Sequence, residues 1–307
     1  MKKYRNIKAL LVVLGTIFFL ACQEKVAIPS GLSNDFENVQ DLGVIENVQI
    51  NEASGIVAGI KNKDSFWVHN DGGDKNRIFL MDKNGKGMKE FYLSGAINRD
   101  WEAITIGNFS DGSFLYIGDI GDNNNQFGEY VIYRLPEPEV ATNSPITNTI
   151  NAVEKITYQY PDGARDAECL MIDHQTKDIY ILTKREQKKR LYRLPFPQTY
   201  MAKMTAEFIE EVTFSEGSNQ AFYITDGNIS PDNQEIIIKN YLQIFHWRRQ
   251  NNESVANTLK RTTQIVPYTF EPQGEGVCFA NNLSGYYTIS EESTNKNPVH
   301  LYYYKRK

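Results

Sequence analysis

A polar residue that opens a short apolar strand recurs five times along this chain, and no other feature restricts the fold as much. The five are Ser54 in EASGIVA, Glu102 in DWEAITI, Glu168 in DAECLMI, Thr225 in YITDGNI and Glu275 in QGEGVCF, at steps of 48, 66, 57 and 50 residues. Such steps are close to the roughly 40 to 50 residues of one four-stranded propeller blade, lengthened by loop insertions. Similar material follows each one. Second strands read SFWVHND, SFLYIGD, KDIYILTK, QEIIIKN and GYYTISEE, and third strands NRIFLMD, EYVIYRL, KRLYRLP, LQIFHWR and VHLYYYK. Fourth strands read KEFYL, KITYQY, EFIEEVTF and QIVPYTF, whereas the fifth repeat reaches Lys307 without one. The segment QDLGVI, residues 40–45, is a strand without a blade. A ring closes when that strand completes the last blade, which leaves only short, protected sheet edges.

Turn signals separate the strand runs: Asn84-Gly85, Asp111-Gly112, Asp162-Gly163 and Pro231-Asp232-Asn233. With 18 Tyr and 16 Phe and little helical periodicity, the composition favours strands. A β-sandwich has a comparable strand count but does not explain a polar residue recurring at one phase. The expected fold is therefore an all-β, five-bladed β-propeller with a central ion-binding channel, spanning residues 38–307, with six blades as the alternative. The mean hydropathy of -0.48 excludes a polytopic membrane protein, and a net charge of -5 argues against a nucleic-acid binder.

Residues 1–21 read as a targeting segment. Lys2, Lys3, Arg5 and Lys8 precede an apolar run, Ala9 to Leu20, too short for a comfortable membrane span. Phe19-Leu20-Ala21-Cys22 then resembles a bacterial lipoprotein signal, which implies export, lipidation of Cys22 and anchoring in the cell envelope. Residues 22–37 read as a polar tether. The remaining cysteines, Cys169 and Cys278, lie in apolar strands and read as small buried hydrophobes. No CxxC or Cys/His cluster suggests zinc.

In a propeller the first strand of each blade lines the central channel. Ser54, Glu102, Glu168, Thr225 and Glu275 then meet around the axis. Three carboxylates facing one another in a low dielectric repel strongly. Three carboxylates and two hydroxyls form an all-oxygen cage suited to a hard, adaptable cation, Ca2+ rather than Mg2+. Two residues earlier on the same strands stand Glu52, Asp100, Asp166, Tyr223 and Gln273, which the period of two places on the same side, nearer the mouth.

The order Ser, Glu, Glu, hydroxyl, Glu at the head of five inner strands resembles the calcium-activated nucleotidase (apyrase) family, with EASGIVA, DWEAITI, DAECLMI, TDGNISPDNQEIII and QGEGVCF as the matching segments. The resemblance implies a central Ca2+ held by these residues. The same phrases are similar to phytase-like and lactonase-like calcium-binding propellers.

Loops after the second strands return to the mouth, where Asp71, Asp119 and Asp122 face Arg165, Lys184, Arg185 and Lys239. Cations beside acids and a metal suit an anionic substrate. In this reading Asp71 positions or deprotonates the attacking water, Arg185 stabilises charge, and Asp119, Asp122, Arg165, Lys184 and Lys239 bind substrate. Neither a GxSxG elbow nor a P-loop is present. Two functions remain open: a Ca2+-dependent phosphoanhydride or phosphoester hydrolase acting on a phosphorylated small molecule, and a non-catalytic module binding a protein or glycan.

Overall fold

The structure is a computed structural model and describes residues 31–307 except 88, 215–218, 252 and 294. The expected signal segment and the lipidation site at Cys22 lie outside the described residues.

Among the described residues, twenty-two strands build five sheets. The chain enters at β1 (Gln40–Val44) and forms blade one from β2 (Ala53–Ala58), β3 (Ser65–Asn70), β4 (Arg77–Asp82) and β5 (Lys89–Leu93). Blade two follows with β6 (Trp101–Phe109), β7 (Gly112–Asp119), β8 (Tyr130–Pro136), the short β9 (Thr147–Ile150) and β10 (Glu154–Gln159). Blade three has β11 (Ala167–Ile172), β12 (Ile179–Thr183), β13 (Lys189–Leu194), the two-residue β14 (Met204–Thr205) and β15 (Glu207–Val212). Blade four has β16 (Ile224–Ile229), β17 (Glu235–Asn240), β18 (Ile244–Arg248), a short helix α1 (Val255–Leu259) and β19 (Gln264–Val266). Blade five has β20 (Gly274–Phe279), β21 (Gly285–Ser290) and β22 (His300–Lys305).

The expected closure is present. β1 pairs antiparallel with β22, Gln40 opposite Tyr303 and Val44 opposite His300, and completes blade five. Five blades account for all the sheets, so the six-bladed alternative is not needed. Two strands cross between blades: β9 lies parallel to β5 of blade one, and β14 parallel to β10 of blade two. These crossings occupy the insertions that lengthen the second and third repeats.

The inner strands β2, β11, β16 and β20 are buried at every position, because each packs a neighbouring blade on both faces. Five hydrophobic clusters form, one at each blade–blade interface; Ile56, Phe79, Cys278 and Ile289 seal blade five onto blade one. Cys169 and Cys278 are buried and unpaired.

Residues 31–37 are seated on the ring rather than hanging from it. Phe36 is buried between Ile237 and Tyr286, and Ser33, Asp35 and Glu37 bond the backbone of Ile265, Lys307 and Lys305. The packed unit thus reaches back beyond the expected start at residue 38. Among the described residues no helix is long and apolar enough to cross a membrane.

Candidate metal centre at the channel mouth

The five polar residues share one backbone irregularity. In blade one, Ala53 opposes Asn70 and Gly55 opposes His69, which leaves Ser54 without a partner in the ladder. The same skip falls at Glu102, Glu168, Thr225 and Glu275 in the other four blades. Each is the extra residue of a β-bulge, a device that bends a strand and re-aims one side chain. Five bulges in one ring turn five polar side chains out of largely apolar strands towards the channel.

All five are at most 4% exposed, so their polar atoms need partners. Ser54 Oγ donates to Glu102 Oε2 and lies as close to the Glu102 carbonyl, both at 3.1 Å. Lys184 Nζ pairs with Glu168 Oε1. Tyr241 donates to Glu275 Oε1 at 2.7 Å. Glu168 Oε2, Thr225 Oγ1 and Glu275 Oε2 have no hydrogen-bond partner among the described residues. Orphaned buried oxygens of this kind fit a hard cation.

The tightest acid cluster lies between blades one and two. Asp71, at the end of β3, joins Asp100 and Glu102, with carboxylate oxygens all within 4.8 Å of one another. A Cβ on Gly121 would collide with the Asp100 and Glu102 carboxylates, so the β7–β8 loop reaches this close only as glycine. Burial pushes the Asp71 carboxyl up to about 6; the Gly72 amide and Lys184 oppose this, and the Glu275 and Glu52 charges add to it. Burial, with Asp71, Asp166 and Asp119 nearby, likewise raises Asp100 to about 6. Glu102 is held well above its ordinary value by burial and by Asp71. Glu291, at the end of β21, rises to about 8 through burial and the charges of Glu275, Asp71 and Glu52. The mouth thus concentrates carboxylates whose ionised forms are unfavourable without a counter-charge. Asp71, Asp100 and Glu102 offer the oxygen set for a divalent ion, while in the adjoining blade Lys184 already pairs with Glu168.

The expected basic half of the mouth does not assemble as a free anion site. Lys239 is fully buried and donates to the Gly274 and Asn240 carbonyls, over the face of Tyr268. Arg165 pairs with Asp162 and Glu186. Arg185 pairs with Asp166 and Asn123 and lies over Tyr223. The reason is local: each cation has an acid or carbonyl within its own or the adjoining blade, and a buried cation without one would be costly.

Two expected substrate-binding acids serve the backbone instead. Asp122 is fully buried and accepts from the Gln126 and Phe127 amides and the Tyr130 hydroxyl at 2.8–2.9 Å, folding its own loop. Asp119 accepts from the Asp100 amide at 2.8 Å and so positions that ligand candidate. His69 is buried in its neutral form, its proton affinity lowered to about 4 by burial. Sequence reasoning gave no role to Tyr241, which holds Glu275 in the ring.

Fold and site together define a β-propeller with a bulge-built polar ring and an acid-rich channel mouth. No protein-family model matches the chain, and no curated protein matches it significantly. Among solved structures it is similar to the Pan2 WD40 domain of Neurospora crassa, at 10% identity over 90% of this chain and 97% of that one, TM-score 0.44. It is also similar to hydrazine synthase of Kuenenia stuttgartiensis, at 12% identity over 86% of this chain and 99% of that one, TM-score 0.41.

Proposed function

We propose that this protein is a Ca2+-binding β-propeller whose channel mouth receives a ligand, with Asp71, Asp100 and Glu102 as the ion's protein ligands. The observation that carries the reading is the convergence of these three carboxylates, from two blades, within 4.8 Å. Ser54 orients Glu102, and Asp119 fixes the backbone of Asp100. Bound there, Ca2+ would neutralise the acids and offer open coordination positions to a ligand oxygen. Of the two functions left open by the residues, the binding module is favoured, because Arg165, Lys184, Arg185 and Lys239 are all engaged within the protein.

One observation favours the hydrolytic reading. Asp71 is only half-buried, so water can reach its carboxylate beside the proposed ion. In that reading Asp71 takes a proton from water, and the Arg185 guanidinium, 29% exposed, turns from Asp166 to a phosphoryl oxygen. Export and lipid attachment at Cys22 complete the proposal, and acyl labelling of wild type against Cys22→Ala tests them.

Calorimetric titration of the chelator-treated protein with CaCl2 tests the ion. Binding that Asp100→Asn weakens at least about tenfold, the scale of one lost charge–charge interaction, supports the reading; no heat with the wild type overturns it. Phosphate release from nucleoside di- and triphosphates and sugar phosphates, with and without Ca2+, separates hydrolase from binding module.

A further inference from the structure

On the same mouth, between blades three, four and five, lies a pocket of about 450 Å³, within the size range of small-ligand sites. Its walls are aromatic and aliphatic. Tyr223 stands at the entry to β16, Tyr241 and Leu242 in the β17–β18 turn, and Phe270 on the segment leading to β20. Phe270 is 71% exposed and Leu242 44%, so large apolar surface stands in solvent beside a recess. Amides are interleaved with it, from Gln220 and Gln273. Lys184 and Arg185 also line the recess, but Glu168 and Asp166 neutralise them. The Tyr241 hydroxyl donates to Glu275, so this wall is fixed to the polar ring.

Charge and polarity narrow the occupant. An anion would meet Glu271 and the mouth acids with no unpaired cation among the lining residues to receive it. A purely apolar ligand would strip water from the exposed Gln220 and Gln273 amides without replacing their hydrogen bonds. A neutral ring with apolar C–H faces and equatorial hydroxyls satisfies both the aromatic walls and the amides. We infer that the pocket binds a neutral glycan unit, a mono- or disaccharide stacked on Tyr223, Tyr241 and Phe270 with its hydroxyls on Gln220 and Gln273. The inference rests on the mouth being the ligand-binding face, but on residues separate from the ion ligands.

The test uses the Ca2+-loaded intact chain. Cellobiose, maltose, xylobiose, chitobiose and mannobiose, with glucose 6-phosphate and AMP as anionic probes, are examined by saturation-transfer NMR and calorimetry. At least one neutral sugar binds, and Phe270→Ala and Tyr223→Ala each weaken it about tenfold, the scale of one aromatic contact, with thermal stability unchanged in Phe270→Ala. Phe270 is solvent-exposed, so its variant isolates binding from folding. Asp100→Asn leaves sugar binding in place while Ca2+ binding falls, which distinguishes failure of the pocket from failure of the ion site. Binding of none of the neutral sugars, preference for the anionic probes, or full binding by both aromatic variants overturns the inference.

Discussion

The Lys184 ammonium lies against the Glu168 carboxylate inside the polar ring, so the channel carries a cation of its own. Its charge also acts on Asp71 and Glu102, but its direct partner is Glu168, so the cluster of Asp71, Asp100 and Glu102 is offset only in part. Lys184→Met removes a positive charge from the neighbourhood of the proposed ion. Ca2+ affinity should then rise about tenfold, the effect of one charge across a few ångströms of partly screened protein, while the ion-free protein melts at a lower temperature. Titration calorimetry and melts with and without chelator read both. An unchanged or weaker affinity would place the ion away from these residues.

Calcium should also stabilise the wild type by mass action. At a hundredfold excess over Kd the gain is about 2.7 kcal/mol, a rise in Tm of roughly 5 to 10 °C for a domain of this size. Asp100→Asn and Glu102→Gln should abolish the rise. In the absence of calcium both should melt at or above the wild-type temperature, because each removes an unfavourably buried charge. A calcium-dependent rise that persists in both variants would locate the ion elsewhere.

The repeat and its closure were legible because a polar residue in an apolar strand is conspicuous and a missing fourth strand can be counted. QDLGVI was recognisable as the closing strand for that reason alone. The five bulges were not legible. A bulge is a mismatch between two strands, and nothing in EASGIVA or SFWVHND by itself says that Ser54 is the unpaired residue. Nor could the sequence say whether Lys239 faces a substrate or the Gly274 carbonyl, since that depends on side-chain conformation in the packed ring. Strands β9 and β14 escaped notice because TNTI and MT are short and compositionally ordinary.

Glu137 ties the far end of blade one to blade two. Its carboxylate accepts from the Ile60 and Lys61 amides, Asn62 Nδ2, Trp67 Nε1 and Ser113 Oγ, and it is 1% exposed. Removing it orphans several buried donors at once. Glu137→Ala should cost about 3 to 5 kcal/mol, and Glu137→Gln less, since one oxygen survives as an acceptor. Urea unfolding at neutral pH measures both; a loss under 1 kcal/mol for the alanine variant would refute the assignment.

Glu271 supplies a pH signature away from the proposed ion ligands. Burial pushes its carboxyl from 4.5 up to about 7, against the opposing pull of Lys239 and the Thr288 and Tyr268 hydroxyls. The folded state therefore holds a proton that the unfolded chain has released. That contribution is fully present below pH 4.5 and is lost as pH rises towards 7. Glu271→Gln should flatten this part of the stability–pH curve. Parallel curves for wild type and variant between pH 4.5 and 7 would show that Glu271 titrates normally.

Phe36 anchors residues 31–37 between blades four and five, with its ring edge-on to Tyr286 at 4.9 Å and to His246 at 5.6 Å. Phe36→Ala should cost about 3 to 5 kcal/mol, as for other buried phenyl groups. Limited proteolysis should then cut first within residues 31–37. Wild-type stability and cleavage pattern in the variant would mean that this segment is not a working part of the ring.

The lending of β9 to blade one and of β14 to blade two sets an order of events for a chain leaving the ribosome. Blade one cannot cover its outer edge until Ile150 has emerged, several seconds after Leu93 at roughly 5 to 20 residues per second. Throughout that interval the outer edge of β5 is an unpaired template for other chains. Blade five waits longest: β22 is made after every other strand of the ring, and its partner β1 before them. A nascent chain therefore holds the opening strand of the ring unpaired until the closing one has emerged, and holding factors that shield exposed strand edges should matter most to this protein during that wait.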